Sequence, residues 1–143
     1  MVAEGDWNYI DKLLQSFSPS EVLVPKNLKK VWQDKYQDAY YLYCLDEWIF
    51  TEEFALPKLI KHFEVNSLKG FGIDMLKLAP ITAGALLQYL SSTENDNLQH
   101  ILSISRLQEE QFVWMDRFTI RNLELIHPLH ENGKSLLDII DFT

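Results

Sequence analysis

The chain has 143 residues, of which 47% are hydrophobic and 24% are charged, enough for about one globular domain with its own core. Its formal net charge of −8 disfavours a sequence-independent grip on nucleic-acid phosphates, because such binding requires clustered lysine and arginine. The single cysteine, Cys44, excludes an internal disulfide framework and a cysteine-ligated zinc site.

The first elements predict an alternation of strand and helix. Residues 2–4 have the composition of the end of a strand, and Asp6 can cap a helix that follows it. Apolar residues recur at intervals of three and four over Trp7–Phe17, which indicates one face of that helix. Residues 21–24 are a β-branched run stopped by Pro25 and predict a buried strand. The short links favour a parallel pair of strands in an α/β layer.

Residues 26–35 predict a second helix that is locally basic. Leu28, Val31 and Trp32 fall on one side of it, and we expect them to face inward. Its charged side chains form either a solvated helix face or a surface that docks a partner. They are Lys26, Lys29, Lys30, Asp34 and Lys35.

Residues 40–45 are rich in aromatic side chains and predict a second strand. The apolar spacing over residues 51–63 predicts a helix. Pro57 lies late for a first-turn proline, so we expect this helix either to start near Leu56 or to kink at the proline.

The glycines of residues 70–72 mark a turn, and residues 76–90 form the most apolar helix candidate of the chain. We expect the small residues of this helix to face the sheet, with Leu86 and Leu87 buried. The polar residues 91–97 predict a loop.

The last part of the chain predicts two short strands and two helical segments. Residues 100–105 and 112–115 have strand composition. Asp116 can cap a helix that we expect to reach Ile126, and residues 136–142 predict a final helical turn.

Candidate catalytic and metal-binding groups are sparse. His127 and His130 have a spacing that could bind a metal on a continuous helix, but Pro128 between them disfavours such a helix. Adjacent carboxylates point in different directions, and no glycine-rich phosphate loop occurs. We therefore predict no catalytic, cofactor-binding or metal-binding residue in this chain.

The longest uncharged run, Leu78–Thr93, has 16 residues. It is shorter than the roughly 20 apolar residues that a membrane-spanning helix needs. The first residues also lack the basic and apolar segments of a signal peptide. We therefore expect a cytoplasmic protein without a membrane partner.

Three motifs follow one another in the second half of the chain. They are Gly-Phe-Gly at residues 70–72, Ala-Gly-Ala-Leu-Leu-Gln-Tyr-Leu at residues 83–90 and Met-Asp-Arg-Phe-Thr-Ile-Arg-Asn-Leu-Glu-Leu at residues 115–125. Pro-Ser-Glu-Val-Leu at residues 19–23 and Ser-Leu-Leu-Asp-Ile-Ile-Asp at residues 135–141 accompany them. In sequence and order these motifs resemble the MutS family of DNA mismatch repair proteins.

The resemblance implies that residues 1–111 are a connector domain of ribonuclease-H-like α/β fold, truncated at its N-terminus. It implies a small sheet flanked by helices, followed at residues 112–143 by a helical segment that begins the core or lever domain. It also implies that this region is a non-catalytic connector, which couples mismatch recognition to the ATPase and to MutL. ATP and magnesium would then be bound outside this chain.

The partners that the resemblance implies are MutL, other MutS domains, a second copy in a homodimer, and mismatched DNA held by domains outside this chain. We expect a first set of site residues, on the basic helix and the polar loop, to face a partner such as MutL. Its members are Lys26, Lys29, Lys30, Ser92 and Asn95. We expect a second set, from the last motif, to hold inter-domain geometry. Its members are Arg121, Asn122 and Glu124.

Two other interpretations stay open on the sequence. One is a ribonuclease-H-like nuclease, which requires carboxylates that converge in space around a metal ion. The other is a free-standing interaction module unrelated to repair.

Overall fold

The computed structural model describes residues 1–93, 98–107, 115, 117–130 and 133–141, and for Arg117 only the backbone. These residues form two compact units. The first unit comprises residues 1–4 and the described residues from 19 to 107, and the second comprises residues 5–18 and those from 115 to 141. The boundary predicted between residues 111 and 112 lies outside the described residues and stays a prediction.

The helices and strands follow one another as in an α/β protein. In chain order they are α1 (Trp7–Phe17), β1 (Glu21–Pro25), α2 (Lys29–Tyr36), β2 (Tyr41–Leu45), α3 (Glu52–Phe63), α4 (Leu78–Thr93), α5 (Arg117–Asn122) and α6 (Leu136–Ile140). Short 3₁₀ turns lie at Lys26–Leu28, Glu47–Phe50 and Leu68–Phe71. None of the described helices is long and apolar enough to cross a membrane.

The sheet of the first unit consists, among the described residues, of β1 and β2, which pair in parallel with Glu21 opposite Tyr41. The predicted α/β class with a small sheet among helices is confirmed. The expected partner of β1 was wrong, because residues 2–4 do not pair with it. Val2 instead forms an isolated parallel bridge with Arg106.

The strand predicted at residues 100–105 is also wrong. In this stretch the backbone makes no ladder, and the bridge at Arg106 is held by bonds of 2.8 Å from Val2 N to the Ser105 carbonyl and from Leu107 N to the Val2 carbonyl. Ile104 and Leu107 are buried, so the apolar pattern there reflects core packing without strand pairing. Of the second predicted strand, residues 112–114 lie outside the described residues, and Met115 has no regular structure.

The core of the first unit lies between α3 and α4. Leu59 of α3 and Ile73 before α4 are fully buried, and Leu87 of α4 joins them. Pro57 lies inside α3, which starts at Glu52, so the expected later start at Leu56 was wrong. The turn predicted at the glycines is confirmed, since Gly72 has a φ of 66° and closes the turn after Phe71 in a conformation that favours glycine.

Among the small residues of α4, which were expected to face the sheet, Gly84 instead packs against α3. A Cβ atom built on Gly84 would lie 2.5 Å from the Cβ atom of Ala55, so glycine permits this close helix contact. Leu86 and Leu87 were both expected to be buried. This is confirmed for Leu87, which is 5% exposed, and wrong for Leu86, which is 47% exposed. Adjacent helical positions point about 100° apart, and only one of them reaches the core.

In the second unit, α1 starts as predicted at Asp6, whose Oδ1 accepts a bond of 2.9 Å from Tyr9 N. The helix expected up to Ile126 is shorter, because α5 ends at Asn122 and Glu124 has a left-handed φ of 49°. The predicted cap at Asp116 lies outside the described residues. The final helical turn is confirmed as α6, which begins with a capping box between Ser135 and Asp138.

Candidate partner-docking surface

Aromatic rings contact one another along the basic helix α2 and at Tyr40 just beyond its end. The rings of Trp32 and Tyr36 lie 5.1 Å apart, and those of Tyr36 and Tyr40 lie 5.6 Å apart at nearly right angles. Trp32 and Tyr36 are half-buried, and Lys35 places its ammonium 5.6 Å from the Tyr36 ring. Edge-to-face and tilted pairs of this kind stabilise a contact beyond the area they bury.

Two lysines and two aliphatic residues at the start of α2 are open to solvent. Lys29 and Lys30 are exposed, and neither pairs with an acidic side chain among the described residues. Leu28 is 43% exposed and Val31 is 48% exposed, so the expectation that they face inward was wrong.

Lys26 differs from the other two lysines because it is paired inside the chain. Its Nζ donates to Oδ1 of Asp46 at 2.5 Å, which ties the end of β1 to the end of β2. The hydrogen bond to Asp46 and that carboxylate's charge raise the pKa of Lys26. The same bond and the lysine's charge lower the pKa of Asp46. Both side chains are more than half exposed, so this pair adds little to stability.

Ser92 was expected in a loop starting at residue 91, which was wrong, because α4 continues to Thr93. The Ser92 hydroxyl donates to the Tyr89 carbonyl at 2.7 Å. One turn earlier, the Tyr89 hydroxyl donates to Oε2 of Glu21 at 2.6 Å, and its ring lies 4.8 Å from that of Tyr43. The end of α4 therefore lies at the start of β1. The lysines follow the other end of β1, roughly 15 Å away for five strand residues.

The structure therefore does not bring Ser92 together with Lys29 and Lys30. Asn95, the other loop residue expected at a docking surface, lies outside the described residues. The hydrogen bond from Tyr89 to Glu21 was missed by sequence reasoning, because no local pattern marks a pair 68 residues apart. It raises the pKa of Tyr89 to about 12.

The expected inter-domain residues lie where α5 meets α6. Arg121 and Asn122 are exposed in the last turn of α5, and the half-buried Glu124 follows. The Glu124 carbonyl accepts a bond of 2.8 Å from Leu136 N, so its backbone positions the start of α6. The side chains of Phe118 and Leu123 beside them are 75% and 58% exposed.

A groove of about 680 Å³ lies between α3 and the start of α4. Its lining is mostly aliphatic, and its acidic residues are Glu52 and Asp74, both exposed. Across the part of the chain that the structure describes, no three His, Cys, Asp or Glu side chains are grouped so as to hold a metal ion.

The geometry defines a small α/β domain with an exposed basic helix, accompanied by a second unit that exposes apolar side chains. Residues 2–102 match the family model of MutS domain II. Over all 143 residues the chain is 53% identical to the DNA mismatch repair protein MutS of Flavobacterium johnsoniae and 52% identical to that of Flavobacterium psychrophilum. It is 49% identical to that of Cytophaga hutchinsonii.

The chain belongs to the MutS family, and the resemblance seen in its motifs is confirmed. It spans about 16% of the length of the two Flavobacterium relatives. A module unrelated to the MutS family is thereby ruled out.

Proposed function

We propose that this chain is a non-catalytic connector of a mismatch repair protein, coupling mismatch recognition to the ATPase and to MutL. The observation that carries the proposal is the match of residues 2–102 to MutS domain II. Because the chain covers only 16% of the Flavobacterium johnsoniae relative, mismatch reading and the binding of ATP and magnesium are assigned to the rest of such a protein. The site of action is the cytoplasm.

The second unit supplies the contact with other MutS domains in this proposal. The exposed Phe118, Leu123 and Ile126 form apolar surface that water solvates poorly. Arg121, Asn122 and Glu124 lie beside them and would fix the geometry between domains. Homodimer contacts and the grip on mismatched DNA are assigned to domains outside this chain.

The docking of MutL is assigned to the first unit, on the side of α2. Lys29 and Lys30 supply charge there, together with Lys26, which pairs with Asp46 at the end of β2. Ser92 and Asn95 would form a second contact near the other end of β1. A partner that touches both this contact and the lysines of α2 must therefore extend along the sheet.

A chimaeric protein tests the proposal. In it this chain replaces the matching segment of the Flavobacterium johnsoniae MutS, which is 53% identical. The chimaera is expected to bind a mismatched duplex, hydrolyse ATP and bind MutL. The connector role is contradicted if the chimaera folds but lacks the MutL-dependent response to a mismatch, as a variant with this segment deleted would.

Charge reversal locates the docking surface within that chimaera. Lys29→Glu with Lys30→Glu, or Ser92→Trp, should weaken MutL binding and leave mismatch binding intact. Lys69→Glu with Lys77→Glu is the matched control, since both are exposed lysines of the same unit that line the groove beside α3 and the start of α4. If MutL binding is unchanged in both docking variants, this placement of the surface is wrong.

The isolated chain provides the complementary test. It should neither hydrolyse ATP nor cut nucleic acid, and it should bind duplex DNA weakly with no preference for a mismatch, because its net charge is −8. Metal-dependent cleavage that persists through stringent purification would favour the nuclease interpretation instead.

A further inference from the structure

One face of the sheet carries tyrosines and a carboxylate where both strands begin. Glu21 lies opposite Tyr41, and Leu23 lies opposite Tyr43, in the parallel register of β1 and β2. Because side chains alternate between the two faces of a strand, these four lie on the same face. Tyr89 reaches this face from α4, with its hydroxyl 2.6 Å from Oε2 of Glu21 and its ring 4.8 Å from that of Tyr43. The name tyrosine patch denotes Glu21, Tyr41, Tyr43 and Tyr89.

The end of α4 covers only part of the tyrosine patch. Glu21 and Tyr89 are half-buried, and Tyr43 is 39% exposed beside the Tyr89 ring. Tyr41 is 68% exposed, and in the described part of the chain no other ring and no lysine or arginine stacks on it. Its ring therefore offers apolar area and an aromatic face to a partner.

The carboxylate of Glu21 is the charged group of the patch. Its Oε2 accepts the Tyr89 hydroxyl, and among the described residues it forms no ion pair with a lysine or arginine. Lys26, which follows the other end of β1, is already paired with Asp46. A carboxylate that is partly withdrawn from water loses hydration, and a charge-assisted hydrogen bond from a cation replaces it.

A tyrosine ring beside a carboxylate matches the chemistry of arginine. The planar guanidinium stacks on an aromatic face and donates two parallel N–H bonds to a carboxylate, whereas the lysine ammonium is more strongly hydrated and bonds as a point charge. We propose that the tyrosine patch binds an arginine of a partner protein, stacked on Tyr41 and paired with Glu21. Tyrosine and arginine are also the residue types that dominate binding energy at protein interfaces.

Other occupants fit the tyrosine patch less well. A metal ion needs several oxygen ligands, and the patch contains one carboxylate. A nucleic acid would bring phosphates toward Glu21 in a chain of net charge −8, which repels them, whereas the same charge attracts a cationic protein segment. The inference is independent of the docking role assigned to α2, and it gives a stated chemistry to the sheet face beside the end of α4.

The test uses the complete 143-residue chain and three synthetic peptides of about 10 residues, which extend over about 35 Å and so can cross the patch. The peptides consist of glycine and serine and differ in a central pair of residues, which are arginine, lysine or the neutral citrulline. Binding is followed by NMR titration at low and high salt. The arginine peptide should bind at least about threefold more tightly than the lysine peptide, with an affinity that salt weakens, and the citrulline peptide should not bind. The Hδ signals of the arginine should move upfield, because a stacked aromatic ring shields them.

Variants of the chain separate the carboxylate from the ring. Glu21→Gln keeps an oxygen for the Tyr89 hydroxyl and removes the charge, so it should weaken binding of the arginine peptide about three- to fivefold. Tyr41→Ser should weaken binding about threefold and abolish the upfield shift, whereas Tyr41→Phe keeps a ring and should change the affinity less than about twofold. Glu53→Gln, at an exposed carboxylate of α3, is the control for lost charge and should also have an effect below about twofold. Circular dichroism verifies that each variant is folded.

Four results would overturn the inference. The first is no binding of the arginine peptide, or equal binding of the lysine or citrulline peptide. The second is an equal effect of Glu21→Gln and Glu53→Gln, which would reduce the contact to attraction by net charge. The third is an equal affinity of Tyr41→Ser and Tyr41→Phe. The fourth is a doubling of mass in sedimentation that Glu21→Gln abolishes, which would make a second copy the occupant. Because these assays contain no MutL, a failure here is distinguishable from a failure of the connector proposal.

Discussion

The contact between α3 and α4 allows a quantitative prediction for Gly84→Ala. The added Cβ atom would lie 2.5 Å from the Cβ atom and 2.6 Å from the Cα atom of Ala55. Both distances are far below an ordinary carbon contact of about 3.5–4.0 Å. The Cα atom belongs to the backbone of α3, so no side-chain rotation relieves the overlap, and the two helices must move apart.

Two opposing effects set the magnitude. Alanine is favoured over glycine in a helix interior by about 1 kcal/mol, which alone would stabilise the variant. Overpacking a core costs about 1–3 kcal/mol, and the backbone contact places this site in the upper part of that range. The separation also loosens the packing of Leu59 against Leu87 in the same core. We expect a net loss of about 1–2 kcal/mol in the free energy of unfolding.

Denaturation by urea, followed by circular dichroism, measures this loss. Thr82→Ala is the matched control, because Thr82 is exposed on the same helix and should gain a few tenths of a kcal/mol. Ala55→Gly combined with Gly84→Ala should recover only part of the loss, since the Cα atom of Ala55 remains at 2.6 Å. If Gly84→Ala stabilises the chain as Thr82→Ala does, the close helix contact is refuted.

Three further predictions concern other contacts. Leu87→Ala should cost about 2–5 kcal/mol in unfolding free energy, whereas the exposed Leu86→Ala should cost less than about 1 kcal/mol, and equal losses would show that the face of α4 is misassigned. A hydrogen bond to a carboxylate raises the pKa of Tyr89 from about 10 to about 12. The folded state therefore holds this proton more tightly, so the stabilisation is complete below pH 10 and is lost as pH rises toward 12. Between pH 10 and 12 the free energy of unfolding should fall less steeply with pH in Tyr89→Phe than in the unaltered chain. An unchanged pH profile would contradict this. Ser135→Ala removes the cap of α6 and should cost about 1 kcal/mol, measured by thermal denaturation against Ser135→Thr as the capping control.

The elements that the sequence predicted well are those with a local physical signal. Asp6 is a capping residue directly before an apolar periodicity, and α1 starts there. The β-branched run before Pro25 and the aromatic run at residues 40–45 are β1 and β2. The two glycines around Phe71 mark the turn that the structure contains.

Features that depend on distant residues were not predictable. The start of α4 is capped by Glu4, whose Oε2 accepts bonds of 2.7 Å from Leu78 N and 3.1 Å from Ala79 N. No capping residue stands next to the helix in sequence, so its start was placed two residues early, at Leu76. Val2 likewise pairs with Arg106, a contact that no local pattern encodes.

The exposed charges of the candidate docking surface could be predicted from the sequence, whereas the exposure of its aliphatic residues could not. Lys29 and Lys30 stand out in an acidic chain, and a lysine on a helix is exposed in almost any packing. The spacing of Leu28 and Val31 indicates one helix face but does not tell whether a partner covers it within the chain.

The separation between core and α2 has a consequence for interpreting variants. The core of the first unit is carried by α3, α4 and residues 98–107, whereas α2 contributes no fully buried residue. Leu28 and Val31 are 43% and 48% exposed, so substitutions there should cost less unfolding free energy than a truncation in the core such as Leu87→Ala. A loss of partner binding in such variants reports directly on the surface, because the core that positions α2 is unaltered. The same argument does not hold for Leu87, where a loss of binding would follow from a loss of the fold.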